Sequence, residues 1–334
     1  MTTPNPTHPP LHIPARDIPV PTSVSPQAQA MLAQGITGPA PDWPAPDDVQ
    51  GWREMVATMD AGLAAVVTAG AAGAVAAGTV VKEVKVGDVP VYAVTPEGVD
   101  PGDRRVYLDI HGGSWTLCGG EICRAVAIAT APAIGAPVWA VDYRMPPDHP
   151  FPTPLDDCLA VYRTLLDDHR PENIVVGGVS AGGNLAAALM LRVRDEGLPL
   201  PAAVVLSTPV TDLTEAGDTW QTNMGIDTVL IDSLQPAVRL YAGVHDVRDP
   251  YLSPLFGDFT KGFPPTILLS GTRDCLLSDT VRLHRALRAA GVPAELHVFE
   301  AAGHGGFHGT APEDQDRAGE IRRFVDAQWG HSSR

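Results

Sequence analysis

The chain has 334 residues, with 39 Asp and Glu against 23 Lys and Arg for a formal charge of −16, and 44% of it is hydrophobic, 19% charged and 6% aromatic. That length and apolar share give ample room for a core and exclude wholesale disorder. The acidic balance argues against nucleic acid or an anionic membrane as the main partner, because both demand basic patches.

Residues 1 to about 45 are rich in proline and lack periodicity, so they read as an irregular arm; without a basic start or an apolar stretch they do not read as a secretory signal. Residues 46–78 look helical, with Val49, Trp52, Met55, Met59 and Leu63 recurring at spacings of three and four. The uncharged run between Asp60 and Lys82 is long enough to span a bilayer, but it is mostly Ala and Gly, which predicts a water-soluble helix or helix pair. Two strand-like runs follow, TVVKEVKVG and VPVYAVTP. Strands and helices then alternate: a strand at RRVYLDIHGG, a helix over 122–134, a strand at APVWAVDYR and a helix over 154–168. ENIVVGGVS reads as a strand, AGGNLAAALMLRVRDEG as a helix and AAVVLSTP as a strand. Residues 212–250 break the rhythm and read as an insertion. PPTILLSGTRD, SDTVRLHRALRAAG, AELHVFEA and GEIRRFVDAQW restore strand, helix, strand and helix. Such alternation predicts an α/β fold with a mostly parallel sheet flanked by helices.

Gly178-Val179-Ser180-Ala181-Gly182 matches G-x-S-x-G where an apolar strand meets an Ala-rich helix. That setting suits a nucleophile elbow, which strains the serine backbone and needs small neighbours. Such a serine requires a base and an orienting acid, placed after later strands in the order acid, then histidine. Asp274 follows one of those strands and His304 follows the next. His308 and Asp279 are the competitors, further from their strand ends; Asp279 reads as a first-turn helix acid. His304-x-x-x-His308 lacks the glutamate of a zinc helix and is broken by two glycines, so no metal is expected. His111-Gly112-Gly113-Ser114-Trp115 ends a strand with free amides, and with the Ala181 N–H they offer a three-donor oxyanion hole. His111 is expected to brace that loop.

Six segments together resemble the bacterial α/β-hydrolase esterases related to mammalian hormone-sensitive lipase: HGGSW, VDYRMPPDHPFPTPLDD, GVSAGGNLA, DPYLSPLFGD, GTRDCLLSD and HVFEAAGH. The resemblance covers residues 80 to 330. It implies Ser180 as nucleophile, Asp274 as acid, His304 as base, and Gly112, Gly113 and Ala181 as oxyanion donors. It also implies a helical cap, which divides the chain into an N-terminal arm with cap helices (1–78) and a catalytic domain (79–334) with a cap insertion at about 212–250. Many family members dimerise, which allows a homodimer. Three departures stand out: Ser114 replaces the last glycine of HGGG, Val179 replaces a polar residue, and the histidine loop carries extra small residues.

The expected activity is hydrolysis of short- to medium-chain carboxylic esters through an acyl-enzyme, with no cofactor, on a small-molecule ester or lactone. Lactone hydrolysis uses the same parts, and a non-catalytic binding protein on this fold is the alternative of another class. Ser114, Trp115, Leu117, Trp220 and Met224, with Trp52 and Met55, are the expected pocket walls. The four cysteines form no CxxC pair and read as free thiols, which makes the cytoplasm the expected address.

Overall fold

The computed structural model describes residues 10–76, 78–100, 102–309 and 311–331. The lead-in is less irregular than the proline content predicts: it holds helix α1 (Pro26–Gln34). The local signal is Ser25-Pro26, a capping hydroxyl that accepts from the Ala28 N–H at 3.2 Å, followed by proline at the first helical position. Ser25 also donates from its N–H and its hydroxyl to Glu313, at 2.7 and 2.8 Å, which fixes the arm to the far end of the chain.

The helical periodicity of 46–78 becomes a single helix, α2 (Val49–Ala76). The Asp48 carboxylate accepts from the Gly51 N–H at its start. No helix of the described residues is long and apolar enough to cross a membrane.

Eight strands form one sheet: β1 (Val80–Val86), β2 (Val89–Thr95), β3 (Val106–Ile110), β4 (Val138–Val141), β5 (Ile174–Val179), β6 (Ala203–Ser207), β7 (Thr266–Gly271) and β8 (Ala294–Phe299). Their order is β1-β2-β4-β3-β5-β6-β7-β8, antiparallel as far as β2–β4 and parallel from there on. Intervening helices are α3 (Glu121–Ile134), α4 (Thr153–Asp168), α5 (Ala181–Asp195), α6 (Thr219–Thr222), α7 (Gln235–Ala242), α8 (Leu277–Ala289) and α9 (Pro312–His331). The last begins seven residues before the predicted 319, because Pro312 and the acids Glu313 and Asp314 suit a first turn although the text there has no apolar stripe.

The central strands are buried on both faces, which explains their unbroken apolar runs. Val176, Leu206 and Leu268 pack against Leu155, Leu185 and Leu283 of α4, α5 and α8. Val175, Val205 and Ile267 face Ile128 of α3 and Phe324 of α9 on the other side. Parallel strands bring their C-terminal ends to one edge, so the turns after β3, β5, β7 and β8 meet there.

Leu185 is fully buried between the sheet and its neighbours. Its replacement by Ala is expected to lower unfolding free energy by about 2–5 kcal/mol, read from urea denaturation.

Candidate active site

The turn between β5 and α5 consists of one residue. Ser180 stands there with φ 58° and ψ −120°, a left-handed conformation that costs a non-glycine residue about 1–3 kcal/mol. The surroundings enforce it. The Ser180 N–H donates to the Ser207 carbonyl at 2.9 Å, and its own carbonyl accepts from Asn184 and Val210 at 3.1 and 3.2 Å. The two glycines on either side of the turn have no room for a side chain: a Cβ on Gly178 would lie 2.2 Å from the Gly182 carbonyl oxygen, and one on Gly182 would lie 2.0 Å from that of Ile110. The helix therefore starts hard against the end of β3.

That contact sets Ser180 beside the loop after β3. A Cβ on Gly112 would stand 3.3 Å from the Ser180 Cβ, so this residue flanks the serine side chain directly. Gly113 has φ 103°, and its carbonyl accepts from the N–H groups of Thr116 and Leu117, at 2.9 and 2.8 Å. Ala181 opens α5, where backbone N–H groups have no partner within the helix. Gly112 and Gly113 line the same cavity as Ser180, and Ala181 follows it at the start of α5. His111 braces this loop as expected: its Nδ1 is 2.8 Å from the Gly112 carbonyl and its ring stacks on Tyr143 at 4.2 Å. Burial pushes its pKa down to about 4, which keeps the ring neutral.

Asp274 and His304 leave β7 and β8 and meet. His304 Nδ1 lies 3.2 Å from Asp274 Oδ1. The carboxylate also accepts from the Ser270 hydroxyl at 2.7 Å and the Leu276 N–H at 2.9 Å, which orients both oxygens. Ser180, Asp274 and His304 are 8%, 0% and 6% exposed. Burial opposes charge on the His304 ring, but the hydrogen bond and charge of Asp274, with help from Asp227, outweigh it and hold its pKa above the ordinary 6.5. His308, the competing base, lines the same cavity with its pKa lowered by burial, while the Asp274 carboxylate is bonded to His304. Asp279 does occupy the first turn of α8, yet it serves another segment: its Oδ2 accepts from the Thr211 and Asp212 N–H groups at 2.7 and 3.0 Å. Burial pushes that carboxyl up to about 7.

Ser180 and His304 open into one cavity of about 410 Å³. Ser114 and Leu117 line it, as does Val179. Trp115, Trp220 and Met224 do not, nor do Trp52 and Met55, which corrects the expected walls. Trp115 is fully buried, stacked on Tyr241 at 4.8 Å, and its Nε1 donates to Asn184 Oδ1 at 3.3 Å. Trp220 and Met224 pack into the main core. Trp52 turns inward against Trp43 and donates to the Ala45 carbonyl at 3.0 Å. Large rings are the strongest core formers, and the sequence does not distinguish a core ring from a pocket ring. The walls come instead from Trp43, Met59 and Leu63 together with Val229, Leu230, Ile231 and Leu234.

Two residues outside the sequence reading hold this edge together. Asn184, on the first turn of α5, donates to the Val210 and Leu252 carbonyls at 3.1 and 2.7 Å while accepting from Trp115. Asp227 accepts backbone N–H groups from both the acid loop and the base loop. The polar residue inside GVSAGGNLA was the available signal for the first; nothing local marked the second. Among the described residues, His111, Cys123 and Asp142 bring potential metal-ligand atoms within 4.8 Å of one another. Cys123 and Asp142 also have protein partners, the Val141 carbonyl and the Gly120 N–H; His111 Nδ1 has the Gly112 carbonyl, while its Nε2 is buried without a partner.

A protein-family model for the alpha/beta hydrolase fold matches residues 107–308. An acetyl-hydrolase of Streptomyces hygroscopicus is 37% identical over 240 residues, which are 70% of this chain and 79% of that one. The crystal structure of an esterase, E25, superposes with a TM-score of 0.86 at 36% identity, covering 95% of this chain and 98% of that one. The crystal structure of an esterase from the bacterial hormone-sensitive lipase family superposes with a TM-score of 0.76 at 29% identity, covering 92% and 100%.

Replacing Gly182 by Ala drives a methyl group into the Ile110 and His111 carbonyls. The variant is expected to melt at a temperature several degrees lower by circular dichroism and to lose the geometry of the turn.

Proposed function

The chain belongs to the α/β-hydrolase family, on its hormone-sensitive-lipase-like branch, and from that premise we propose that it is a serine carboxylesterase. The observation that carries the reading is a buried histidine held by a buried carboxylate at 3.2 Å, facing one cavity together with a strained serine. Ser180 Oγ attacks the ester carbonyl as His304 Nε2 takes its proton. Asp274 fixes the imidazole with Nδ1–H toward the carboxylate and stabilises the imidazolium. The N–H groups of Gly112, Gly113 and Ala181 receive the oxyanion. His304 returns the proton to the leaving alcohol, and water then releases the acid by the same route.

The walls support an uncharged ester of short to medium length. They are mainly apolar, and the ionisable groups among them are Asp232, Cys118 and three histidines, His111, His304 and His308. An anionic substrate finds no Lys or Arg among these lining residues. A dissolved small molecule fits this enclosed, acidic protein better than an anionic lipid surface does. Segment 212–250 and α2 together act as the cap in this reading, since they supply most of the apolar walls.

Three measurements test it. Turnover of p-nitrophenyl acetate and butyrate should fall by about 10⁴-fold or more in Ser180→Ala; retention of more than a few per cent overturns the assignment. The base must be neutral to act and its pKa is raised, so kcat/KM should drop toward acid with a midpoint above 6.5. Val229 is a half-exposed wall residue, 42% accessible. Val229→Trp should cut kcat/KM for the decanoate ester by about tenfold while changing that for acetate by less than about threefold.

A further inference from the structure

Asp227 belongs to neither the elbow nor the expected triad, yet it is fully buried where the Asp274 and His304 loops meet. Its Oδ2 accepts from the Cys275 N–H at 2.9 Å, one residue beyond Asp274. Its Oδ1 accepts from the N–H groups of Val229 and Leu230, at 2.9 and 3.2 Å, and from that of His304 at 3.3 Å. One carboxylate therefore receives amides from three segments: the cavity wall, the acid loop and the base itself. Asn223, four residues earlier, adds a second tie, donating from Nδ2 to the carbonyls of Asp274 at 2.9 Å and Thr272 at 3.2 Å. The chain between β6 and β7 is in this way bonded to both catalytic loops.

Building on the esterase reading, we propose that Asp227 is a positioning residue of the reaction: it locks the Asp274 and His304 loops to each other and to the cavity wall, and its negative charge favours the imidazolium that forms as Ser180 attacks. Turning the carboxylate into an amide replaces one acceptor oxygen by an NH2 donor, so the N–H groups that oxygen accepted lose their partner, and each orphaned group costs about 1–3 kcal/mol. The loops would then settle in a different relative position. The electrostatic part is separate. Around the His304 ring, burial opposes charge; Asp274 and Asp227 favour it, and Arg317 opposes it. His308 lines the same cavity and is itself disfavoured as a cation by His304. Asp227 is thus the second negative charge acting on the base, behind Asp274.

The test compares wild type, Asp227→Asn, Asp227→Glu and Asn223→Ala as full-length proteins. Each is checked by thermal melting, assayed for kcat and KM on p-nitrophenyl butyrate across pH, and titrated by proton NMR of the His304 ring. Asp227→Asn should lower kcat by about 10- to 100-fold with KM changed by less than about threefold. The acid midpoint of kcat/KM and the NMR midpoint of His304 should both move to lower pH by about 0.5 or more, since a charge favouring the cation is gone. Asn223→Ala should lower kcat and leave both midpoints in place, because it removes ties without removing charge. Asp227→Glu keeps the charge and displaces the acceptor; it should lower kcat at an unmoved midpoint, and it stands in if the Asn variant does not fold. A folded Asp227→Asn with an unmoved His304 midpoint overturns the proposal, as does a folded Asp227→Glu with wild-type kcat. Absence of Ser180-dependent turnover in wild type would fail the esterase reading instead, and the NMR titration still decides the electrostatic role of Asp227.

Discussion

The arrangement rests on a turn of one residue between β5 and α5. A strand cannot reverse into a helix in so short a space unless its neighbours lack side chains. The room at Gly178 and Gly182 is already filled by carbonyl groups of the turn and of β3. Two consequences follow from that crowding. Ser180 is held at a positive φ that a free chain would abandon, and the first turn of α5 is pressed against the loop carrying Gly112 and Gly113. In the proposed esterase reaction, donors for the developing oxyanion would then stand close to the serine before any ligand arrives. Such prior placement is where electrostatic catalysis gains most, because no reorganisation is needed at the moment of reaction.

The strain has to be balanced by rigid support, and the support is polar as well as apolar. Asn184 ties the elbow helix to Trp115 and to the carbonyls of Val210 and Leu252. Ser270 and the Leu276 amide orient Asp274 from behind, so that one carboxylate oxygen faces His304. The arm contributes from the other end. Ala28 of α1 packs with Ala301, Ala302 and Phe307 of the histidine loop, and Ser25 is bonded to Glu313 at the start of α9. A segment rich in proline thereby becomes part of the frame around the base. The bonds around Asn184 and Asp274 are satisfied and buried, which is the condition under which polar networks specify one geometry.

Specificity has a different architecture. The cavity walls include Trp43, Met59 and Leu63 as well as residues 229–232 and Leu234, segments far apart in the chain. In the proposed reaction the sheet edge would supply the chemistry and these other segments the shape. Asp60 of α2 links the two, because its carboxylate accepts from the Cys118 N–H at 2.9 Å, close to the oxyanion loop. Change in the walls can therefore retune substrate choice while the strand ends stay fixed, as expected where function sits on loops carried by a rigid scaffold.

Local text determined a great deal. Alternating apolar runs and helical periodicities gave the strands and most helices, and G-x-S-x-G at a strand-helix junction marked Ser180. Asp274 and His304 are candidates in the sequence because each comes soon after a strand-like run, and parallel strands bring their ends to one edge. The lead-in helix and the early start of α9 were signalled only by caps, and the surrounding composition hid them. What the sequence left open was how residues distant in the chain meet. It did not separate a ring buried on Tyr241, as Trp115 is, from one lining a pocket, since both demand the same apolar residue. It did not mark Asp227, whose partners lie at Cys275 and His304. Backbone conformation and periodicity are properties of neighbours in sequence; burial and shared hydrogen bonds are properties of neighbours in space, and only the packed sheet with its loops decides those.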